Sequence, residues 1–243
     1  MTALSVNLNK IALLRNSRGR DYPNVVLYAN KLIAMGVAGI TVHPRQDERH
    51  ITQADTLDLS DLVRDFDDVE FNVEGYPSEE FLQLIERSRP DQCTLVPDTT
   101  EQLTSDHGWS VEHNLAMLTP ALKRIHAVGS RAALFLDPDC DQVQAAAQSG
   151  YDRIELYTEQ YANTYASEQQ DVVLEKYKSA KDLAVLHGLG VNAGHDLDLI
   201  NLEKFLSIGN ILEVSIGHAL TVESIDRGLA TVVAEYLEIC RHG

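Results

Sequence analysis

Eight short apolar runs alternate with helix-like segments along this 243-residue chain. The runs are rich in the apolar and β-branched residues that favour buried strands. Between them, apolar residues recur three and four positions apart, as in amphipathic helices. The predicted strands lie at 3–9, 39–42, 69–74, 92–96, 131–136 and 153–157, and at the runs that end in Gly194 and Gly217. This alternation, without a linker, predicts one α/β domain over residues 1–243, a TIM (β/α)8 barrel with extra helices.

A doubly wound open sheet is the alternative fold. No G-x-G-x-x-G motif follows the first strand, which weakens the dinucleotide-binding version of that fold. Residues 15–20 are interpreted as a basic loop, and the last helix is predicted over about 222–239. Extra helices are expected in the connection between the fourth and fifth strands and around residues 162–163.

Charge and cysteine content exclude several partners. The net charge of −17 argues against nucleic-acid and anionic-membrane partners. Residues 1–50 nevertheless carry a net charge of +4, which suits an anionic small molecule but also an ordinary solvated surface. Three widely spaced cysteines, Cys93, Cys140 and Cys240, indicate reduced thiols and a cytoplasmic protein. No apolar run is long enough for a membrane span, and no secretion signal is recognised.

Polar residues and glycines collect where the predicted strands end. They are Asn7, Asn9, Lys10, His43, Arg45, Glu74, Thr104, Asp137, Glu155, His195, Gly217 and His218. In a parallel barrel these ends converge on one mouth, where TIM-barrel active sites lie. Loops are polar in any protein, but that explains less well why His, Glu and His directly follow strand-like runs on different strands.

Three of these residues are candidates for moving protons. His43 and His195 titrate naturally near neutrality. Glu74 ends an apolar run, where partial desolvation would raise its pKa toward that of a useful base. A salt bridge from Glu74 to a Lys or Arg on a neighbouring strand is an equally good interpretation.

Other residues suit anion binding. Lys10, Arg18 and Arg45 could clamp a phosphate, and Gly194 and Gly217 would let backbone amides approach its oxygens. The sequence shows neither a strong metal-ligand spacing nor a nucleophile-elbow serine.

Several blocks of the chain resemble the pyridoxine 5′-phosphate synthase family. They are VNLNKIALLRNSRG (6–19), GITVHPR (39–45), DERHI (47–51), FNVE (71–74), LVPD (95–98), VNAGH (191–195) and SIGHA (215–219). The resemblance implies a TIM barrel with added helices, a homo-octamer built from dimers, and no metal or organic cofactor. It also implies condensation of 1-deoxy-D-xylulose 5-phosphate with 3-amino-2-oxopropyl phosphate to pyridoxine 5′-phosphate, phosphate and water.

The resemblance assigns roles to matching positions. His43 and Glu74 would accept protons, and His195 would donate one. The amino ketone phosphate would be held by Asn7, Arg18, Asp196, Gly217 and His218. The pentulose phosphate would be held by Asn9, Lys10, Arg45, His50 and Thr104.

The chain departs from the common family pattern at Asn9, Lys10, Asp196 and Glu159. Many members have Asp, His, Gly and Gly there. A carboxylate at position 196 would repel a phosphate. We therefore expect the Asp196 side chain to turn away and cap the next helix, on a left-handed backbone.

Two other functions compete with this one. The first is a non-catalytic phosphosugar-binding barrel, against which the joint presence of His43, Glu74 and His195 argues. The second is another phosphosugar isomerase or aldolase, since fold does not determine function. An imine-forming aldolase would need a lysine within a barrel strand, and the predicted strands show none in mid-barrel.

Overall fold

The chain forms a closed barrel of eight parallel strands in sequence order, with β8 paired to β1. This computed structural model describes residues 1–98, 102 and 104–242. The strands are β1 Ala3–Asn7, β2 Gly39–Val42, β3 Glu70–Gly75, β4 Gln92–Leu95, β5 Arg131–Leu136, β6 Arg153–Tyr157, β7 Gly190–Gly194 and β8 Glu213–Ile216. The predicted TIM barrel is confirmed, and the open sheet is wrong.

Helices surround the barrel. In the described part of the chain they are α1 Asn9–Asn16, α2 Val25–Ala34, α3 Gln53–Val63, α4 Glu79–Ser88, α5 Val111–Ala127, α6 Cys140–Gln148, α7 Glu159–Thr164, α8 Gln170–Leu186, α9 Leu202–Leu206, α10 His218–Arg227 and α11 Leu229–His242. None of the helices in these residues is both long and apolar enough to cross a bilayer.

The strands alternate between an apolar outer face and a polar inner face. Outward residues such as Ile40, Leu134 and Val214 are fully buried against the helices and form the main core. The inner face instead carries hydrogen-bonded side chains: the Ser5 and Thr41 hydroxyls lie 2.7 Å apart, for example. Most TIM barrels fill this space with branched apolar residues. In this barrel, polar side chains line much of the interior up to the carboxyl ends of the strands.

Two predicted boundaries are wrong. β1 ends at Asn7 because the chain turns into α1 at Asn9, so part of the predicted basic loop is helical. The predicted last helix is two helices, α10 and α11, separated by Gly228 at φ +87°. That backbone conformation favours glycine and ends α10.

The predicted extra helix around residues 162–163 is α7. The other extra helix was expected between β4 and β5, and residues 99–101 and 103 of that connection lie outside the described residues. The described residues between Val96 and Ser110 form no helix.

Candidate active site

Asn7, His43 and Glu74 meet at the carboxyl ends of β1, β2 and β3. The Asn7 side-chain amide donates to Oε2 of Glu74 over 3.4 Å, and Nδ1 of His43 lies 3.9 Å from the same oxygen. His43 and Glu74 are both buried. The longer distance exceeds a hydrogen bond, so the two groups face each other without a direct bond.

Glu74 lies in an environment that opposes its ionisation. Burial, followed by the negative charges of Glu155, Asp98 and Glu213, raises the pKa of Glu74 well above its usual range. Among the described residues no Lys or Arg forms an ion pair with Glu74, so the salt-bridge interpretation receives no support. A raised pKa makes the conjugate base of Glu74 stronger than an ordinary carboxylate.

His43 is held neutral by the same burial. Desolvation, followed by the positive charges of His50, Arg45 and Arg49, lowers the pKa of His43 well below its usual value. The same burial thus opposes the charged form of both groups, which lowers the pKa of His43 and raises that of Glu74. Two such facing groups can exchange protons with a bound substrate.

His50 lies on the other side of His43, with ring centroids 6.3 Å apart. Burial and the nearby charges of Arg45, Lys10 and Arg49 lower the pKa of His50 to about 4. Its Nδ1 accepts a hydrogen bond from the Ile51 backbone N–H over 2.9 Å. Nε2 therefore carries the proton of the neutral ring, which makes His50 a neutral hydrogen-bond donor.

Asn7 and Asn9 tie the ends of β1 and β2 together. The Asn9 backbone N–H donates to Oδ1 of Asn7 over 3.0 Å, and Oδ1 of Asn9 accepts from the His43 backbone N–H over 2.9 Å. Asn9 thus positions His43 through the backbone, whether or not it also contacts a ligand.

Arg45, a predicted anion clamp, is buried and already engaged. It donates to Oδ2 of Asp98 over 3.0 Å and to the Gln102 carbonyl over 2.9 Å. Ser105 also donates to Oδ2 of Asp98, whereas Oδ1 of Asp98 is buried and has no hydrogen-bond partner among the described residues. Asp98 was not predicted as a site residue. Its only signal was the LVPD block at the end of the fourth strand.

His195 lies on a loop with an unusual backbone. His195 and Asp196 have φ values of +82° and +57°, so the predicted left-handed conformation of Asp196 is confirmed. Nδ1 of His195 lies 2.7 Å from Oδ2 of Asp196, and Nε2 lies 3.0 Å from the Thr104 hydroxyl. The hydrogen bond to His195, followed by burial and the charges of His195 and His218, leaves the pKa of Asp196 below its usual value.

The expectation that Asp196 caps the next helix is wrong. The N-cap of α9 is Asn201, which makes no side-chain capping bond. In the turn before α9 it is Asp198 whose Oδ1 accepts from the backbone N–H groups of Ile200 and Asn201, over 2.9 and 2.8 Å. Asp196 instead turns to the imidazole beside it, because a charged acceptor next to a ring N–H makes a stronger bond than a neutral one.

Gly194 allows Glu155 to approach the His195 loop. A Cβ at position 194 would lie 2.4 Å from Oε1 of Glu155. Burial and the charge of Glu213 raise the pKa of Glu155 to about 8. Glu155 stands at a predicted strand end, but no role was assigned to it.

The remaining predicted residues lie at the rim. Lys10 is in the first turn of α1, Arg18 is exposed in the turn after α1, Gly217 ends β8, and His218 opens α10. A Cβ at Gly217 would lie 3.0 Å from Cβ of Asn7, so this glycine lets the end of β8 close on β1. Among the described residues, no hydrogen bond joins the Lys10, Arg18 or His218 side chains to His43, Glu74 or His195.

A separate cavity of about 500 Å³ lies beyond Tyr157. Its charged lining residues are Asp106, Asp137, Asp139, Glu159 and Lys176. Four carboxylates against one ammonium make it a poor phosphate site, so the basic groups near β1 and β2 are the better anion site. Within residues 1–98, 102 and 104–242 no group of three His, Cys, Asp or Glu side chains could hold a metal ion.

Comparison with known proteins identifies the family. The family model described as pyridoxal phosphate biosynthesis protein PdxJ matches residues 4–242. A pyridoxine 5′-phosphate synthase of Bacteroides thetaiotaomicron is 48% identical over 242 residues, covering 99% of this chain and 100% of that one. The protein of the same name from Xanthomonas axonopodis pv. citri is 48% identical over 252 residues, covering 100% and 98%.

Solved structures of low identity share the fold. Phosphoribosyl anthranilate isomerase has a TM-score of 0.59 at 11% identity, with 100% of both chains covered. The native KDPGal structure has a TM-score of 0.61 at 13% identity, covering 98% of this chain and 94% of that one. These likenesses support the barrel alone. The family model and relatives that are 48% identical to this chain both span almost its whole length. The chain therefore belongs to the PdxJ family of pyridoxal phosphate biosynthesis proteins.

Proposed function

We propose that the mouth of this barrel condenses 1-deoxy-D-xylulose 5-phosphate with 3-amino-2-oxopropyl phosphate, yielding pyridoxine 5′-phosphate, phosphate and water. The chain is an enzyme of vitamin B6 biosynthesis, a pyridoxine 5′-phosphate synthase. The observation that carries the proposed mechanism is the buried His43 imidazole, whose Nδ1 faces Oε2 of Glu74 at 3.9 Å. Ring closure from two ketone phosphates requires imine formation and several dehydrations, and each step moves protons.

His43 and Glu74 act as proton acceptors and His195 as the proton donor. His43 is unprotonated when substrate arrives, so it can accept a proton at once. Glu74 becomes a base after the positive charge of a substrate amine favours its ionisation. Nε2 of His195, which contacts only the Thr104 hydroxyl among the described residues, is the atom that delivers a proton.

The two phosphates bind on opposite sides of this cluster. We assign the pentulose phosphate to Asn9, Lys10, Arg45, His50 and Thr104, on the side with the higher density of positive charge. We assign the amino ketone phosphate to Asn7, Arg18, Asp196, Gly217 and His218. At position 196 the contact is the backbone N–H, because the carboxylate is turned to His195.

An imine-forming aldolase is not supported. The eight strands of the barrel contain no lysine, so no strand-borne amine is available to form a covalent imine with a substrate. The imine in the proposed reaction forms between the two substrates.

The test is to mix the purified protein with both substrates and to follow the pyridine chromophore together with phosphate release. His195→Ala is expected to lower turnover by about 10²–10⁴-fold without loss of the fold, as removal of a general acid does. His187→Ala, at an exposed position after α8, is the matched control and retains turnover. Near-normal turnover of His195→Ala would overturn the assigned role.

We further propose that residues 1–243 form one domain and that the chain assembles as a homo-octamer of dimers in the cytoplasm. The resemblance to the family supports the assembly, and exposed apolar side chains on α1, Leu13 and Leu14, offer surface for a contact between copies. The three cysteines are free thiols, which suits a reducing compartment. Sedimentation velocity of the purified protein tests the octamer.

A further inference from the structure

We propose that Asp196 is a positioning residue for His195: its carboxylate holds the imidazole so that only Nε2 exchanges a proton with substrate. The inference rests on the proposed role of His195 as proton donor. Its basis is the 2.7 Å contact between Nδ1 of His195 and Oδ2 of Asp196.

The contact determines which ring nitrogen carries the proton. An ionised carboxylate can only accept hydrogen bonds, so Nδ1 of His195 must carry hydrogen. In the neutral ring Nε2 then has no hydrogen and is a hydrogen-bond acceptor, to which the Thr104 hydroxyl donates over 3.0 Å. When Nε2 is protonated, the carboxylate stabilises the positive charge of the imidazolium, as in other His–carboxylate pairs.

The backbone of this loop keeps the two side chains in contact. His195 and Asp196 both have positive φ, a conformation that persists only where neighbouring groups hold it. The buried Thr158 hydroxyl lies within hydrogen-bonding distance of the carbonyl oxygens of Gly194 and His195 and shares its one proton between them. The Asn201 side chain donates to the Asp196 carbonyl over 3.0 Å. These side-chain donors hold the backbone of the loop.

Other titratable groups surround His195, but Asp196 differs from them. The Tyr157 ring packs against the imidazole at a centroid distance of 5.0 Å, and its hydroxyl donates to Glu159 over 2.5 Å. The remaining groups are His218 on α10, which acts on Asp196 through its charge, Glu155 beside Gly194, and Asp106 and His107 near Tyr157. In the described part of the chain, Asp196 is the one charged group hydrogen-bonded to the imidazole.

The test compares Asp196→Asn and Asp196→Gly with the wild-type enzyme at several pH values. Both replacements tolerate a left-handed backbone, so neither should disturb the loop, and thermal melting checks this. We expect kcat to fall by about 10–100-fold in Asp196→Asn, with KM for both substrates within about twofold of wild type. The asparagine amide can donate to Nδ1 and so favour the wrong tautomer. Asp196→Gly, which lacks that donor, should lose less activity.

Loss of the carboxylate also removes the charge that favours the doubly protonated imidazole. Activity that depends on the Nε2 proton should therefore disappear at a lower pH in both variants than in wild type. In a His195→Ala background, Asp196→Asn should have no further effect, because Asp196 acts through the missing ring. Asp198→Asn, whose amide oxygen can still cap Ile200 and Asn201, is the matched control and keeps wild-type kinetics.

Two results would overturn the inference. One is wild-type kcat and pH profile in Asp196→Asn. The other is an Asp196→Asn enzyme with unchanged kcat and a KM for the amino ketone phosphate raised tenfold or more, which would show that the carboxylate contacts the substrate. Either result, combined with an inactive His195→Ala enzyme, leaves the proposed function standing. An active His195→Ala enzyme contradicts the proposed role of His195 itself.

Discussion

Glu155 stands on β6 with its carboxyl group enclosed by the barrel, 3% exposed. Its Oε2 has no hydrogen-bond partner among the described residues. Burial and Glu213 raise its pKa to about 8, whereas in the unfolded chain a Glu titrates near ~4.3. Between those two values the folded state binds more protons than the unfolded state. The Glu155 contribution therefore lowers the stability of the protein as pH rises through that window.

Glu155→Gln removes this penalty. At about pH 7 we expect the variant to be more stable than wild type by the order of 1–3 kcal/mol, and at about pH 4 the difference should nearly vanish. Urea unfolding at the two pH values measures the difference. Glu175→Gln, at an exposed position on α8, should show no such dependence. A uniform loss of stability at both pH values would contradict the raised pKa.

A glutamine substitution can also test whether Glu74 acts as a base in the proposed reaction. Glu74→Gln keeps the shape of the side chain and removes a carboxyl group whose charged form is disfavoured by burial, so the melting temperature should not fall much. Activity should be lost, because an amide cannot serve as a base. Turnover with both substrates, measured beside the melting curve, checks both parts. A large loss of stability with activity retained would favour a structural role.

At the scale of elements, β6 and α7 support the loop that follows β7. Thr158, between β6 and α7, is fully buried, and its hydroxyl shares one proton between the carbonyl oxygens of Gly194 and His195. The neighbouring Tyr157 ring packs on His195. The geometry of the proposed proton donor therefore depends on a different βα unit from the one that carries it.

Thr158→Val keeps the size of the side chain and removes the hydroxyl. The Thr158 backbone N–H still donates to the Gly194 carbonyl, so the His195 carbonyl is the group that loses its donor, and we expect the protein to be destabilised by about 1–3 kcal/mol. Turnover should also fall, because the His195 loop loses its anchor. Thr158→Ser keeps the donor and should restore most of the activity, measured by turnover and by urea unfolding. Equal activity of the Val and Ser variants would show that the loop holds its shape without Thr158.

The strands and helices that could be predicted from the sequence were those whose apolar residues recur at a regular spacing. Every barrel strand was located because each is an apolar run bounded by polar or glycine residues. The start of α1 was missed because alternation continues through Leu8 and Asn9, while the turn is made by the Asn9 N–H donating to Oδ1 of Asn7. Such a side-chain bond leaves no trace in hydrophobic periodicity.

The site was predicted less completely than the fold. Asp196 was expected to cap the next helix, but its carboxylate contacts His195, and it is Asp198 that accepts backbone hydrogen bonds in the turn before α9. The ion pair between Arg45 and Asp98 joins two loops that are 53 positions apart in the sequence. The order of the strands in the barrel brings these loops together, and the local sequence pattern around either residue does not predict it. The polar barrel interior became evident only once the inward faces of the strands were known.

At the scale of the whole molecule, an acidic protein has a locally basic region near the first two strands. The net charge is −17, yet Lys10, Arg45 and Arg49 are close enough to His50 to act on its pKa. A dianionic ligand that enters the mouth meets this local field rather than the average one. Arg45 already pairs with Asp98, so a phosphate bound as we propose would share the guanidinium with that carboxylate.

Inorganic phosphate should therefore stabilise the folded protein, because the site exists only in the folded state. At ten times its dissociation constant, phosphate adds about 1.4 kcal/mol, which for a chain of this length raises the melting temperature by roughly 3–6 °C. Sodium chloride at matched ionic strength controls for screening.

Lys10→Ala and Arg45→Ala should each reduce the phosphate-induced shift. Arg45→Ala also leaves Asp98 buried without its partner, so the shift is compared within each variant rather than the absolute melting temperature. Arg64→Ala, which removes an exposed ion pair with Asp61, should keep the full shift. A wild-type melting curve that does not respond to millimolar phosphate, or a shift equal in all three variants, would contradict an anion site at the ends of β1 and β2.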